Sequence, residues 1–444
     1  MRTKIQLSDH FNYRKLLRFT LPSILMMVFT SVYSVVDGFF VSNYVGKTPF
    51  TAVNLIMPFL MILGAFGFMF GAGGSALVSK LMGEGDREKA NSCFSLLVYI
   101  AAALGVVLAV AGIFVVRPVS VLLGAEGEML DYCVLYGRII LAALPAFMLQ
   151  FLFQSFFVAA EKPQLGLVIT VVSGIMNMVC DALFVALFKW GIAGAAAATV
   201  ASQVVGGVVP VIYFFCPNKS LLRLGKTRFD IKAVLKSCAN GSSELMSNIS
   251  MSIVSMMYNA QLMKYAGADG VAAYGVLMYV NFIFLAAFIG YSVGTAPVIG
   301  FNYGAGNGGE MKGILKKSMV MISIFSVVMC AIAEGLAGPL AKLYVGYDEN
   351  LLSLTVRAFR FASFSFLFSG IAIFGSSFFT ALNNGLVSAL ISFLRTLVFQ
   401  IAAVMLLPLV FDVDGIWISI IVAELLAAVL SAIFILAKRK RYKY

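Results

Sequence analysis

Between Phe19 and Tyr44 a single side chain, Asp37, carries a charge. Apolar stretches of this kind recur down the chain, separated by short islands of charge, glycine or proline. Each is long enough to cross a hydrocarbon core about 30 Å thick as an α-helix. Inside such a core every backbone N–H and C=O must be paired, which leaves only helices and closed barrels. Barrel strands are segments of about ten residues with alternating polarity, and no part of the sequence reads that way. Twelve spans follow, at approximately 16–42, 51–79, 92–115, 130–159, 164–188, 191–215, 236–264, 271–299, 314–337, 352–380, 386–410 and 415–437. Composition agrees: of 444 residues 61% are hydrophobic and 12% charged, where a soluble chain carries about 25% charge. The expected fold class is an all-α polytopic membrane protein with twelve transmembrane helices.

An even number of spans puts both termini on one side. Arg2, Lys4, Arg14, Lys15 and Arg18 precede the first span, and the chain ends AKRKRYKY. The other Lys and Arg residues also fall mostly in connections on that side. Basic connections stay in the cytoplasm, so the termini are expected to be cytoplasmic and the protein to reside in the inner (cytoplasmic) membrane. The net charge of +12 is then a topology signal and gives no reason to expect nucleic acid. The first apolar stretch is too long for a cleavable signal peptide. Six single cysteines without a CxxC read as small apolar residues. The one histidine, His10, lies in the N-terminal tail, which excludes a histidine metal site or proton relay within the membrane.

Compared with itself at a shift of about 221–224 residues, the chain gives repeated weak matches, among them NYVGKTPFTAVN with KYAGADGVAAYG and FFVAAEKP with FFTALNNG. The spans therefore divide into two pseudo-symmetric six-helix bundles, residues 1–215 and 236–444, joined by a basic cytoplasmic connector at 216–235. Both halves enter from the same side, so the repeat is parallel. Two such halves around a central cavity suit alternating access.

Two apparent phosphate motifs fail. The GKT sequences at 46–48 and 225–227 lack the first glycine of a phosphate-binding loop. Gly304–Gly309 matches GxGxxG but follows a membrane span, where a tight turn is the better reading. With neither a nucleotide loop, an embedded metal-ligand set nor an activated nucleophile, the chain reads as neither an ATP-driven pump by itself nor an enzyme.

A carboxylate at a helix centre costs about 2.5–3.5 kcal/mol on insertion scales and normally faces a cavity or partner. Thr30, Tyr33, Ser34 and Asp37 share one face of span 1, and Ser173, Asn177 and Asp181 form one stripe on span 5. Span 6 adds Thr199, Ser202 and Gln203, and span 4 adds Gln150 and Gln154. Asp37, Asp181 and Thr199 lie at a common depth, roughly 10–12 Å below the surface opposite the termini at 1.5 Å rise per residue. Such an oxygen-only set suits Na⁺, or protons held between paired carboxylates, and not zinc or copper. Helix-to-helix hydrogen bonding is the structural alternative. The second half lacks this chemistry, since Asn259 stands at the position of Asp37 and only Gln400 is polar around 399–404. Glu244, Arg395 and Glu424 are further charges within spans, and Arg395 is expected to pair with one of the two glutamates. Pro22 is a candidate hinge on span 1.

The layout resembles the multidrug and toxic compound extrusion (MATE) family. So do the LP near the start of span 1, Val36-Asp37 followed by Val41 and Gly46, the GxGD turn at 83–86 and the EKP after span 4. The resemblance covers essentially the whole chain. It implies a monomeric secondary antiporter that expels small cationic or amphiphilic drugs or metabolites in exchange for Na⁺ or H⁺, with no other cofactor. In one prokaryotic branch the coupling ion binds in the first lobe, on residues matched here by Asp37, Asn177, Asp181 and Thr199, with Tyr33 and Pro22 in the expected places. If the ion is Na⁺, those four are its ligands. Other branches carry acids in spans 7 and 10; this chain has Glu244 but no acid in span 10. Gln150, Gln154, Ser173, Gln203, Glu244, Asn259 and Arg395 remain candidates for substrate contact. A second reading, a lipid-linked oligosaccharide flippase of the same architecture, calls for several basic cavity residues, where only Arg395 is available.

Overall fold

The computed structural model describes residues 5–346 and 348–444, apart from the side chains of Ser42, Lys47 and Ala268. The basic residues Arg2 and Lys4 lie outside it. The first half consists of α1 (Tyr13–Phe40), α2 (Lys47–Gly83), α3 (Arg87–Leu122), α4 (Gly127–Ala142), α5 (Leu144–Ala159), α6 (Pro163–Asp181) and α7 (Gly191–Phe215). The second consists of α8 (Ile231–Gly304), α9 (Gly308–Val345), α10 (Glu349–Ala381), α11 (Gly385–Phe393), α12 (Phe399–Leu406) and α13 (Pro408–Tyr442).

Helix boundaries follow local chemistry. Asn12, Asp86, Asp230, Asn307, Asp348 and Asn384 each accept a backbone N–H of the first turn they precede, the usual way of satisfying orphan donors. The turn before α3 and the turn before α9 are built alike, with Gly85 at φ 86° then Asp86, and Gly306 at φ 69° then Asn307. The GxGxxG sequence is thus a helix-to-helix turn.

The span count differs in detail from the sequence expectation. Among the described residues ten helices are long and apolar enough to cross a membrane singly, and α4 with α5, bent by 58° at Ala143, makes an eleventh. The expected seventh span, 236–264, is helical but belongs to α8, which continues into the eighth through a break at Gly267 (φ 64°). This segment is less apolar than the others because Asn240, Glu244, Asn248, Asn259 and seven serines dilute it. A helix that polar is stable in a bilayer only where neighbouring helices or an aqueous cavity cover it.

Three of the four hydrophobic clusters among the described residues, the fourth being a small one around Phe288 and Phe366, describe the arrangement. One draws on both halves at the end where the termini lie, joining Leu16, Met69 and Phe153 with Val298, Met311, Phe374 and Tyr442. At the opposite end each half has its own: one around Ile56, Tyr136 and Phe147, the other around Tyr258, Phe359 and Trp417. The two bundles are therefore joined at the terminal end and separate at the far end.

The join depends on backbone contact. A Cβ on Gly241 would lie 1.9 Å from the Met69 carbonyl oxygen, and one on Gly304 2.0 Å from that of Lys80. Only glycine permits such approach. Asn240 Nδ2 donates to the Gly73 carbonyl (3.4 Å) and Asn383 Nδ2 to that of Ala76 (3.2 Å). The N-terminal segment straps the same end. Leu7 N–H donates to Glu161 Oε1 (2.7 Å) of the first half; Phe11 N–H donates to Glu310 Oε1 (2.8 Å) of the second. His10 Nδ1 lies 2.7 Å from the other Glu310 oxygen, and Lys317 Nζ donates to the Phe11 carbonyl.

Candidate functional site

Helix α6 is inside-out. Ser173, Asn177 and Asp181 are 0%, 1% and 0% exposed, whereas Val168, Val172, Ile175 and Val179 are about half exposed. In water this pattern would be reversed; in a bilayer it buries the polar stripe against α1 and α7. Helix α1 approaches closely at Gly174, where a Cβ would lie 2.5 Å from Phe29 and 2.9 Å from Tyr33. On the other side Ser173 Oγ donates to the Ser202 carbonyl (2.6 Å), and Ser202 Oγ to that of Thr199 (2.8 Å).

These contacts bring the two acids together. The Asp37 carboxylate faces Asp181 and Asn177. Tyr33, one turn below Asp37 on α1, meets Gln150 of α5 while staying in the field of Asp37. The side chains stop short of well-formed hydrogen bonds: Asp37 Oδ1, Asn177 Oδ1 and both Asp181 oxygens are buried without a partner. All four are oxygens in an acceptor role, and together they call for a positive charge. The backbone opens beside both acids. A π-helical segment, Val41–Val45, follows α1, and another, Ala182–Leu187, starts at the residue after Asp181. Such wide turns occur frequently at functional sites.

Thr199 is half-buried beside the set and donates to the Ala195 carbonyl (3.1 Å), which leaves its oxygen lone pairs available. Its other neighbour is the Tyr136 hydroxyl of α4, which also lies in the field of Asp37 and Asp181. Tyr136 is missing from the sequence reading. On its own helix Tyr132, at four-residue spacing, donates to Glu128 instead, so the α4–α7 packing is what reveals Tyr136. Thr30 and Ser34 do share the face of Asp37, but their hydroxyls donate to their own helix, at Met26 and Thr30.

Pro22 lies within α1. Helix α1 runs through it unbroken, and its neighbours Ser23 and Ile24 pack against Gly290 of α8 in the join between the bundles. Gln150, Gln154, Ser173 and Gln203 are buried inside the first bundle, 5%, 4%, 0% and 5% exposed.

In the second bundle Arg395 Nε donates to both oxygens of Glu424, at 3.1 and 2.9 Å. Glu244 is within electrostatic reach of the same guanidinium. Arg395 lies in a third π-helical segment, Leu394–Val398. Asn259 follows Tyr258, whose hydroxyl donates to Gln400 Oε1 (2.7 Å) and sits 2.8 Å from Ser419 Oγ. This level of the second bundle is held by a neutral network, with no counterpart to the paired acids. A further acid, Glu334 on α9, accepts from Ser363 of α10; it lies inside the expected ninth span, 314–337, and the sequence reading does not single it out.

The MatE family model matches residues 22–183 and again 245–406, one match in each half at a spacing within the self-comparison range. The multidrug export protein MepA of Staphylococcus haemolyticus (strain JCSC1435) is 25% identical, with 97% of this chain and 94% of that protein covered. MepA of Staphylococcus aureus (strain MRSA252) is 23% identical at the same coverage. Among solved structures, a MATE protein in complex with MaL6 superposes with TM-score 0.94 over 100% of both chains at 21% identity. An outward-facing conformation of a multidrug resistance MATE transporter superposes with TM-score 0.93, covering 100% and 99%, at 21% identity. With both halves matched by the family model and the fold shared end to end, the chain belongs to the MATE family of transporters.

Proposed function

We propose that this protein is a secondary antiporter that exports small amphiphilic or cationic compounds in exchange for H⁺ or Na⁺, and that Asp37, Asp181, Asn177 and Thr199 hold the coupling ion. The observation that carries the reading is the set of four buried, unpartnered acceptor oxygens contributed by Asp37, Asp181 and Asn177. Leaving a buried polar atom unpaired costs about 1–3 kcal/mol, more for a charged group, and a bound cation removes that cost. Two neighbouring carboxylates can share one proton, and together with an amide and a hydroxyl oxygen they equally suit Na⁺. The multidrug export relatives supply the substrate class.

Binding at this site can reach the rest of the protein through α1. Asp37 stands near one end of that helix, and Thr20, Ser23 and Ile24 near the other end touch α8 at Gly290 and Gly294. A charge change at Asp37 alters the packing of α1 on α6, and the same rigid helix carries it to the join. With the termini in the cytoplasm, as the distribution of Lys and Arg implies, the joined end faces inward and the cleft opens outward. The flippase alternative loses its one basic group, because Arg395 is already neutralised by Glu424.

The test is efflux of a fluorescent organic cation from proteoliposomes, driven separately by an imposed pH gradient and an imposed Na⁺ gradient. One gradient should drive export by the wild-type protein, and Asp37→Asn should abolish that response while remaining folded. Export by Asp37→Asn at the wild-type rate would overturn the assignment.

A further inference from the structure

Below the paired acids, towards the terminal end, a cavity lies between α5, α6 and α7, lined by Gln150, Gln154, Thr170 and Gly206 and closed by Phe153 and Phe157. It admits a water-sized body, the minimum a hydrated cavity needs. Gln154, 4% exposed, has neither Nε2 nor Oε1 partnered. One of these atoms is a donor and the other an acceptor. A bare cation would satisfy only the oxygen and an anion only the nitrogen, whereas water satisfies both. The chemistry of this cavity therefore differs from that of the acid pair, whose orphaned atoms are all oxygens in an acceptor role.

We infer that this cavity is a hydrated inner station through which the coupling ion exchanges with the terminal side of the membrane, within the first bundle and apart from the central cleft. The proposal rests on the coupling-site reading for the identity of its upper end. Contiguity supports it. Asp37 is followed one turn down by Tyr33, whose side chain meets Gln150, and Gln150 lines the cavity with Gln154. A parallel file descends α6 through Asp181, Asn177, Ser173 and Thr170, roughly 16 Å at 1.5 Å per residue. A Cβ on Gly206 would lie 2.7 Å from Gln150 Cδ, so glycine there is what lets the amide occupy this position. Under the cavity Phe153 and Phe157 pack on Phe214, at ring-centroid distances of 5.6 and 5.3 Å. These three rings belong to the core that joins the bundles. A plug built into that core opens when the join separates, which connects the station to the terminal side in the opposite conformation.

Two measurements on the full-length protein in lipid nanodiscs or proteoliposomes test this. Radiolytic hydroxyl labelling, which marks side chains beside buried water, should modify Phe153 and Phe157 in the wild-type protein and fall several-fold in Gln154→Leu. In the same variant, and more weakly in the near-isosteric Thr170→Val, ion-driven efflux should fall several-fold while affinity for the fluorescent cation in detergent is kept. Absence of labelling in the wild-type protein, or wild-type efflux rates in both variants, would overturn the inner station. Labelling at Phe153 and Phe157 that persists when Asp37→Asn exports normally would overturn instead the assignment of the acid pair, which keeps the two failures distinct.

Discussion

Asp37 on α1 faces Asp181 on α6, and within a turn of each the backbone widens into a π-helical segment. The pairing depends on helix packing at Gly174 and on the hydrogen bonds that tie α6 to α7. Replacing either acid by its amide removes the negative charge and keeps the volume. Asp181→Asn is therefore expected to insert and fold like the wild type and to lose ion-driven efflux, as Asp37→Asn does. Size-exclusion profiles and proteoliposome efflux, taken together, check both halves of this expectation.

The Arg395–Glu424 pair is mostly buried, with side chains 15% and 8% exposed. Breaking such a pair from one side typically costs about 3–5 kcal/mol, because a charge is left uncompensated. Arg395→Met should therefore destabilise the second bundle strongly, leaving Glu424 and Glu244 without their cation. Glu424→Gln should cost less, since Glu244 lies within reach of the same guanidinium. Thermal unfolding in detergent should rank wild type above Glu424→Gln above Arg395→Met.

Glu161 and Glu310 anchor the N-terminal strap to the first and second halves respectively. Hydrogen bonds to a charged group are worth about 1.5–3 kcal/mol each. Glu310→Gln, and more so the removal of residues 5–11, should shift the population towards separation at the terminal end. Spin-label distances between the two halves, measured on that face, should broaden to longer values. An unchanged distribution would show that the strap contributes nothing to closure.

At Gly241 and Gly304 the two halves meet backbone to backbone. A methyl group at either position cannot be accommodated without moving helices apart. Gly304→Ala should therefore weaken the closed join and favour the conformation open at the terminal end, and a Gly241→Ala/Gly304→Ala double variant should do so further. Labelling of a cysteine introduced at Ser237, which is fully buried in the join, should accelerate in the same order.

Much of this protein was legible before any tertiary structure. Long apolar runs with sparse charge dictate membrane-spanning helices, because no other open structure pairs its backbone in lipid. Asp37 and Asp181 stood out because a carboxylate in such a run needs a partner, and Asn177 and Ser173 followed from four-residue spacing on one face. The seventh helix was recognisable as a helix, although its serines and asparagines make it too polar to be identified by hydropathy alone. The tight turn at Gly306 was readable because its glycines follow a membrane span and not a strand.

Tertiary packing decided the rest. Tyr136 reaches Thr199 from a helix whose other tyrosine, Tyr132, turns to Glu128 instead, so periodicity along that helix does not find it. Arg395 had two candidate partners, and the direction of its side chain selects Glu424. Pro22 lies in the join between the bundles because α1 is placed against α8 there. Which end of the cleft is closed depends on glycines meeting carbonyl groups from the other half of the chain. A sequence specifies spacing along each helix through short-range geometry, whereas the approach of one helix to another is set by the shapes of both surfaces at once.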